Sequence, residues 1–560
     1  MRPVRLIHAC LAVLAAALAI APAAVQAAPE RTGRLLVTLD APDGSSGARA
    51  ATSAVLGLAG VRRDGAQVAQ IGLVSVRPAG GMALSVLAPV LRRLPGVRSV
   101  DVERRATLRL APNDPALSAP ETAAGTPPGT TVAWWVPRIG LPAAWDVARG
   151  DGATVAVIDT GADSGHPDLQ GKIAEAIDND AVAGHGPATS DENGHGTHVA
   201  SLACAVGDNG LGSVGSGRNC RLLIFKTDLS DGSIARSIVQ AADRGADAIN
   251  MSFGSDDPAA PQPIREAVQY ANDKGVVLVA AAADQPVEEQ GYPSNLLQPA
   301  GTGGDLGAGR GLTVTAANFA GRRASFAGRG SQISLAAPGA FEGGGGPGGI
   351  FSDFPGNPTE LEAGGSLLFP GSDCRCRTTF GGDSRFAYLQ GTSMAAPIVA
   401  GVAAMARRLN PDATVADTIR ALKETATRPA GSGWDPELGW GIIDAAAALN
   451  AVSAIDRRAP ESKLTGRTRV RKSRSVTLRL TGSDAAPAAL QPSGIDVYEV
   501  YRSANRRAYR RIKRTRKPSM KLKVKPGSLY RLYTVAIDKA GNREPSPSRP
   551  DLSLRVDRRR

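Results

Sequence analysis

Aromatic side chains make up only 4% of this 560-residue chain, and histidine, cysteine and methionine number five, five and six. After the first 30 residues no apolar run approaches the ~20 residues that a membrane-spanning helix needs, so no span is expected there. The few aromatics are accompanied by 65 glycines and 39 prolines, which reads as a loop-rich chain. Disorder is excluded, because 42% of the residues are apolar and can bury cores. One compact core is also excluded at this length, and roughly three or four units are expected.

The opening MRPVRLIHACLAVLAAALAIAPAAVQAAPE has Arg2 and Arg5, a short apolar run and small residues at Val25 and Ala27. That pattern predicts a secretory signal over 1–27, cut after Ala27 or Ala28. Cys10 would leave with it. Cys204, Cys220, Cys374 and Cys376 then remain in an oxidising compartment, where an even number favours disulfides over metal, with three possible connectivities. Local pairing is expected, Cys204 with Cys220 and Cys374 with Cys376. The second bridge spans one intervening residue and is the more strained.

Strand-like runs at 35–39 and 73–76, a helix at 84–94 and a strand at 97–102 give a β, α, β, α, β order, a small α+β module over 34–110. Residues 111–131, APNDPALSAPETAAGTPPGTT, read as an exposed linker. Over 132–455 apolar strand-like runs alternate with helical ones, which predicts an α/β domain, a mostly parallel sheet with helices on both faces. Ligands of such sheets bind at the carboxyl ends of the strands. Asp159, Ser252 and Asp284 end three of the runs.

From residue 456 there are 29 Lys and Arg against 9 Asp and Glu, a net of +20, which leaves −7 for the rest of a chain totalling +13. Short alternating runs such as SVTLRLTG and LYRLYTVAID predict a small antiparallel β-sandwich over 456–560. Its positive field is expected to hold anionic polymers of a cell wall or acidic surface. The secretion signal makes nucleic acid a poor physiological partner, and a monomer is expected.

NGHGTHVAS sets His195 and His198 one helical turn apart. The spacing suits a shared zinc, a proton carrier, or packing. Two further islands decide the matter: VAVIDTGADSGHPDL around Asp159 and LQGTSMAAPIVAG around Ser393. A serine hydroxyl needs a base to take its proton, and the base needs a carboxylate to fix its tautomer and stabilise its cation. Asp-Thr-Gly alone also marks aspartic peptidases, but those need a second copy and none occurs. The chain order Asp, His, Ser is one of the known orders for this geometry.

Through VIDTG, HGTHVA, NMSFGS and GTSMAAP the chain resembles the subtilisin-like serine peptidases over roughly 134–454, and residues 34–110 resemble their inhibitory propeptide. The resemblance implies a secreted endopeptidase made as a zymogen, acting on proteins or peptides. Asp159 would orient, His195 act as base and Ser393 attack, with His198 packed behind the site. Ser252, Phe253 and Gly254 would pair with an extended substrate. Gly291, in GYP, would leave a deep pocket for an apolar side chain before the cut. A structural calcium would be held by Asp168, Asn209 and the carbonyls of Leu211 and Ser213, all hard oxygens.

Two departures stand out. Where the family ends a strand on the asparagine whose amide stabilises the oxyanion, this chain has Asp284. An ionised carboxylate there repels the developing charge, whereas a protonated one can donate a hydrogen bond. Residues 341–386, rich in glycine, are inserted before the nucleophile and read either as a lid or recognition loop or as a surface insertion. The rival to an enzyme is a catalytically weak relative that holds partners with its cleft and tail, a reading kept open by Asp284.

Overall fold

The computed structural model describes residues 31–40, 46–57, 61–68, 71–78, 84–104, 112–182, 184–343, 345–364, 374–429, 431, 433–471, 474–485 and 493–558. The expected signal segment lies outside them. The chain forms two compact units, one within 26–111 and one from Pro112 onward.

The first unit has strands Arg31–Leu39, Val61–Val68, Leu73–Pro78 and Val97–Arg104, with helices Ser46–Leu56 and Leu84–Leu91. All strand pairs are antiparallel, around a core that includes Leu35, Val37, Val55, Val76 and Leu91. The order is therefore β, α, β, β, α, β, one strand more than the sequence suggested. The extra strand, VRRDGAQV, lies at a sheet edge and is mostly exposed. Its pairing with Leu73–Pro78, and no apolar alternation of its own, makes it a strand.

In the second unit seven parallel strands form the central sheet: β1 (Thr154–Asp159), β2 (Ile173–Asn179), β3 (Arg221–Thr227), β4 (Ala248–Met251), β5 (Val277–Ala281), β6 (Gly311–Ala317) and β7 (Leu335–Pro338). Their order is β7-β6-β5-β4-β1-β3-β2, so the winding reverses between β1 and β4. Helices α1 (His195–Cys204), α2 (Asp231–Asp243), α3 (Gln262–Asp273), α4 (Thr392–Leu409), α5 (Val415–Glu424) and α6 (Ala445–Ser453) cover it. The apolar run of β1 is buried on both faces. Val155 and Val157 join a core with α1, α4, α5 and α6, while Ala156 and Ile158 join a second core with α2 and α3. Each buried valine or isoleucine contributes roughly 1.5–3 kcal/mol.

Residues 112–131 are exposed over much of their length, as at Asn113, Pro127 and Pro128, but are anchored at buried points. Ala116 is fully buried; its N–H donates to Gly212 O at 3.0 Å and its carbonyl accepts from Ala133 N at 2.8 Å. Prolines and glycines interrupt regular structure here, and the buried backbone groups find partners in loops instead of in a helix or strand.

A small antiparallel sheet, β8 (Ile350–Asp353), β9 (Arg377–Phe380) and β10 (Asp383–Leu389), in the order β8-β10-β9, is built largely from the insertion. Cys204 bonds Cys220, and Cys374 bonds Cys376. The tail is a sandwich of two sheets. One pairs β11 (Glu461–Thr465), β13 (Ser475–Ser483) and β16 (Ser519–Lys523). The other orders β12 (Arg469–Val470), β18 (Leu552–Val556), β17 (Leu529–Asp538), β14 (Ile495–Ala504) and β15 (Arg510–Thr515). Its pairs are antiparallel except β12 with β18. Arg457 pairs with Asp417 in the first turn of α5 and Arg458 with Asp412 just before it, joining tail to α/β unit.

Candidate active site

The reversal of winding leaves a crevice at the carboxyl ends of β1 and β4, and the three sequence islands meet there. Asp159 is the last residue of β1, His195 the first of α1 and Ser393 the second of α4. Gly161 lets the chain turn after Asp159: its φ is +109°, and a Cβ would stand 2.2 Å from Ser190 O. His195 Nδ1 donates to Asp159 Oδ1 at 2.8 Å, so Nε2 keeps its lone pair. Asp159 Oδ1 also accepts from Thr160 N at 2.8 Å. Both members of the pair are buried. Burial alone would depress the His195 pKa, but the carboxylates of Asp159, Asp191 and Asp284 outweigh it and raise the value above the ordinary one.

Asp191 is a positioning residue that sequence reasoning passed over. It is buried, its Oδ1 accepts from Gly194 N at 2.8 Å and Thr160 Oγ1 at 2.9 Å, and its Oδ2 accepts from Thr197 N and Oγ1 at 2.8 and 2.7 Å. It therefore caps α1 and fixes the helix end that carries His195. Burial pushes its pKa up to about 6. The signal was an aspartate just ahead of a helix start.

Ser393 Oγ donates to Ser252 O at 3.0 Å, and Ser252 Oγ donates back to Ser393 O at 2.8 Å. Asn250 Nδ2 holds the Ser252 hydroxyl at 3.0 Å. A single χ1 rotation releases the nucleophile from this latch. As a first-turn group of α4, the Ser393 N–H has no intrahelical acceptor.

His198 takes no part in the crevice. It is fully buried, with Nε2 at 3.1 Å from Ile350 O and 3.3 Å from Ala387 O, so one N–H ties α1 to β8 and β10. Burial drives its pKa down to about 3 and keeps it neutral.

Two cavities share His195, Asp284 and Ser393. The first, about 730 Å³, is lined by Ser252, Phe253, Gly254 and Gly291 among others. The second, about 600 Å³, is lined by the insertion. Glycine at 291 is required for a reason other than pocket depth: a Cβ there would stand 1.4 Å from Ser255 O, where the two segments pair through Ser255 N and Tyr292 O at 2.8 Å.

Asp284, three residues past β5, opens onto the crevice but is crowded by protein on its inner side. Its Oδ1 accepts from Thr392 N at 2.8 Å and lies 2.9 Å from Thr392 Oγ1, and its Oδ2 would stand 3.1 Å from a Cβ on Gly391. Loss of water raises its pKa; the Thr392 bonds and His195 oppose this without cancelling it. Asn295, another candidate donor, has its Nδ2 on Pro258 O at 2.8 Å.

Asp168 accepts from Asn209 Nδ2 at 2.7 Å and, more weakly, from Ser213 N at 3.4 Å. Asn209 Oδ1 accepts from Leu211 N at 2.9 Å. Beside them lies Asp114, missed because it falls in the supposed linker. It is buried, with Oδ2 accepting from Asp208 N at 3.0 Å and Oδ1 without a partner. Burial, reinforced by Asp168, raises its pKa. Burial and the nearby Asp353 push Asp168 up to about 7. Among the described residues no cationic side chain pairs with Asp114, and the donor set is hard oxygen, so these residues fit calcium.

This is the architecture of a serine endopeptidase. Within that class the chain belongs to the subtilase family, whose model matches residues 150–441. It is 32% identical over 305 residues to thermitase from Thermoactinomyces vulgaris, covering 53% of this chain and 88% of the relative. It is 34% identical over 299 residues to a thermophilic serine proteinase of Bacillus sp. strain AK1, covering 52% and 60%. A solved protease of Pseudoalteromonas arctica PAMC 21717 is 29% identical, with a TM-score of 0.46, and the likeness covers 61% of this chain and 99% of that one.

Proposed function

We propose that this subtilase is made as a secreted zymogen and cuts proteins internally through an acyl-enzyme on Ser393. The bond from His195 Nδ1 to Asp159, with Ser393 on the same crevice, carries the reading. Ser393 Oγ attacks the scissile carbonyl carbon while its proton passes to His195 Nε2, and the carbonyl electron pair moves onto oxygen. Asp159 stabilises the imidazolium. The proton then goes to the leaving amine as the C–N bond breaks, and water repeats the sequence to free the acid. Membership of the subtilase family favours this over a surface-binding role.

The oxyanion is met by the Ser393 N–H and by Asp284 in its protonated form. With Oδ1 committed to Thr392, Oδ2 is the oxygen left to donate. Residues 252–254 pair with the substrate backbone before the cut. Calcium, when bound, neutralises the buried carboxylates and stabilises the fold; Asp114, Asp168, Asn209 and the carbonyls of Leu211 and Ser213 would hold it. The tail anchors the enzyme to anionic polymers.

Residues 34–110 act as an inhibitory propeptide that the enzyme removes itself. In a host lacking other proteases, Ser393→Ala should accumulate uncut precursor and hydrolyse no protein substrate. Normal processing of that variant would defeat the self-cleavage reading.

A further inference from the structure

We infer that the cleft sorts peptides by charge sign, taking a basic residue two positions before the scissile bond and an acidic residue two positions after it. This rests on the acyl-enzyme reading, which puts the residues before the cut against 252–254 and hence the residues after it in the second cavity. The half before the cut is lined by Asp231 and Asp256, with Asp284 at the centre and, among the described residues, no Lys or Arg. The half after the cut is lined by Arg375 and Arg377 and, among the described residues, by no carboxylate except the shared Asp284. One cleft thus carries opposite fields at its two ends.

The two arginines are not equivalent. Arg377 Nε and Nη2 grip both oxygens of Glu362 at 2.6 and 2.7 Å, and its other N–H groups donate to the carbonyls of Pro355, Asn357 and Ser384. Its charge is already matched. Arg375 is exposed and, among the described residues, has neither carboxylate nor carbonyl partner. It sits between Cys374 and Cys376, whose disulfide closes the chain around it and keeps it on the cavity wall. At the other end, among the described residues, Asp231 accepts the Tyr292 hydroxyl at 2.9 Å and no other side chain, and Asp256 is exposed without a cation. A free guanidinium in a partly enclosed cavity attracts carboxylate, and the two aspartates attract ammonium or guanidinium.

The test uses the activated enzyme and quenched peptides of one uncharged frame, with Glu, Gln or Lys placed two residues after or two residues before the cut. After the cut, kcat/KM should run Glu above Gln above Lys, with about 3- to 10-fold between the extremes at low ionic strength. Before the cut the order should reverse. Arg375→Glu should invert the first order and leave the second, and active-site titration with a fluorophosphonate counts only folded enzyme. The wild-type spread should also shrink toward one in 0.5 M salt. Equal rates for all three residues after the cut, or a spread indifferent to salt, would overturn the sorting. Failure to cut even the uncharged frame would instead overturn the acyl-enzyme reading.

Discussion

In the α/β unit cationic and anionic groups alike are drawn inside, whereas the C-terminal sandwich buries Glu499 and Asp538 but leaves its cations on the surface. Lys423 is fully buried, its Nζ donating to Gln298 Oε1 at 2.6 Å and Ala308 O at 2.8 Å, and burial brings its pKa down to about 8. Lys226 is buried against Glu192. Asp159, Asp191 and Asp168 are buried near or behind the crevice. The sandwich instead carries most of 29 cationic residues toward solvent, around an apolar core of Leu464, Leu478, Val500, Leu532 and Leu554. Burial strengthens each charge–charge interaction and ties it to protonation; exposure leaves a long-ranged but screened field. The α/β domain should therefore respond to pH and the sandwich to salt.

The sharpest way to break this contrast is to remove an interior charge. Asp159→Asn should lower kcat by about 10⁴-fold with little change in the unfolding midpoint, because the imidazole loses its tautomer and its counter-ion. Turnover and thermal melts on the same preparation check it.

Asp284→Asn should raise kcat, by up to about 10²-fold, the scale of a single oxyanion donor. The pKa of Asp284 is raised, so its donor is present at low pH and lost as pH climbs through that value. His195 must be neutral, and its own raised pKa removes activity at low pH. Parental activity is thus confined to the overlap of protonated Asp284 and neutral His195, while asparagine does not titrate and extends the alkaline limb. Removing the carboxylate also withdraws one of the influences that raise His195, so the acid limb should move to lower pH. Overlaying pH–rate profiles would mean that Asp284 does not donate.

Calcium in hundredfold excess over its Kd should add about 2.7 kcal/mol to apparent stability. Asp114→Asn should shrink the calcium-dependent shift in melting temperature, and an undiminished shift would remove Asp114 from the site. Glu192→Gln should cost about 1–2 kcal/mol, discounted because the carboxylate is about a third exposed while Lys226 is left buried. Burial alone would raise the Glu192 pKa, but the Lys226 and Ser190 bonds and the Lys226 charge together outweigh it and lower the value to about 2. Its stabilisation should be complete above its ordinary value near 4.5 and fade as pH falls toward 2, as acid titration of the two proteins would reveal. The smallest effect belongs to the tail: deleting 456–560 should change kcat on a short peptide less than about twofold, while retention on a polyanion column, steeply salt-dependent in the full chain, disappears.

What could be read from the sequence follows the same division. Strands such as VAVID and RLLIFKT announce themselves because burial on both faces demands continuous apolar runs. The islands around Asp159, His195 and Ser393 carry their chemistry in residue type and spacing. The edge strand Val61–Val68 was hidden by its charges, and the strands IFSD and RTTF by the glycines around them. Asp191 and Asp114 gain meaning only from burial and partners that lie far off in sequence. The reason for glycine at 291 needed the approach of Ser255, which composition does not encode.

Fluorophosphonate labelling followed by peptide mapping tests the central claim most directly. The account predicts one label per molecule on Ser393, at a rate that rises with pH as His195 loses its proton, and none in Ser393→Ala. Labelling of another residue, or undiminished peptide hydrolysis by Ser393→Ala, would contradict it.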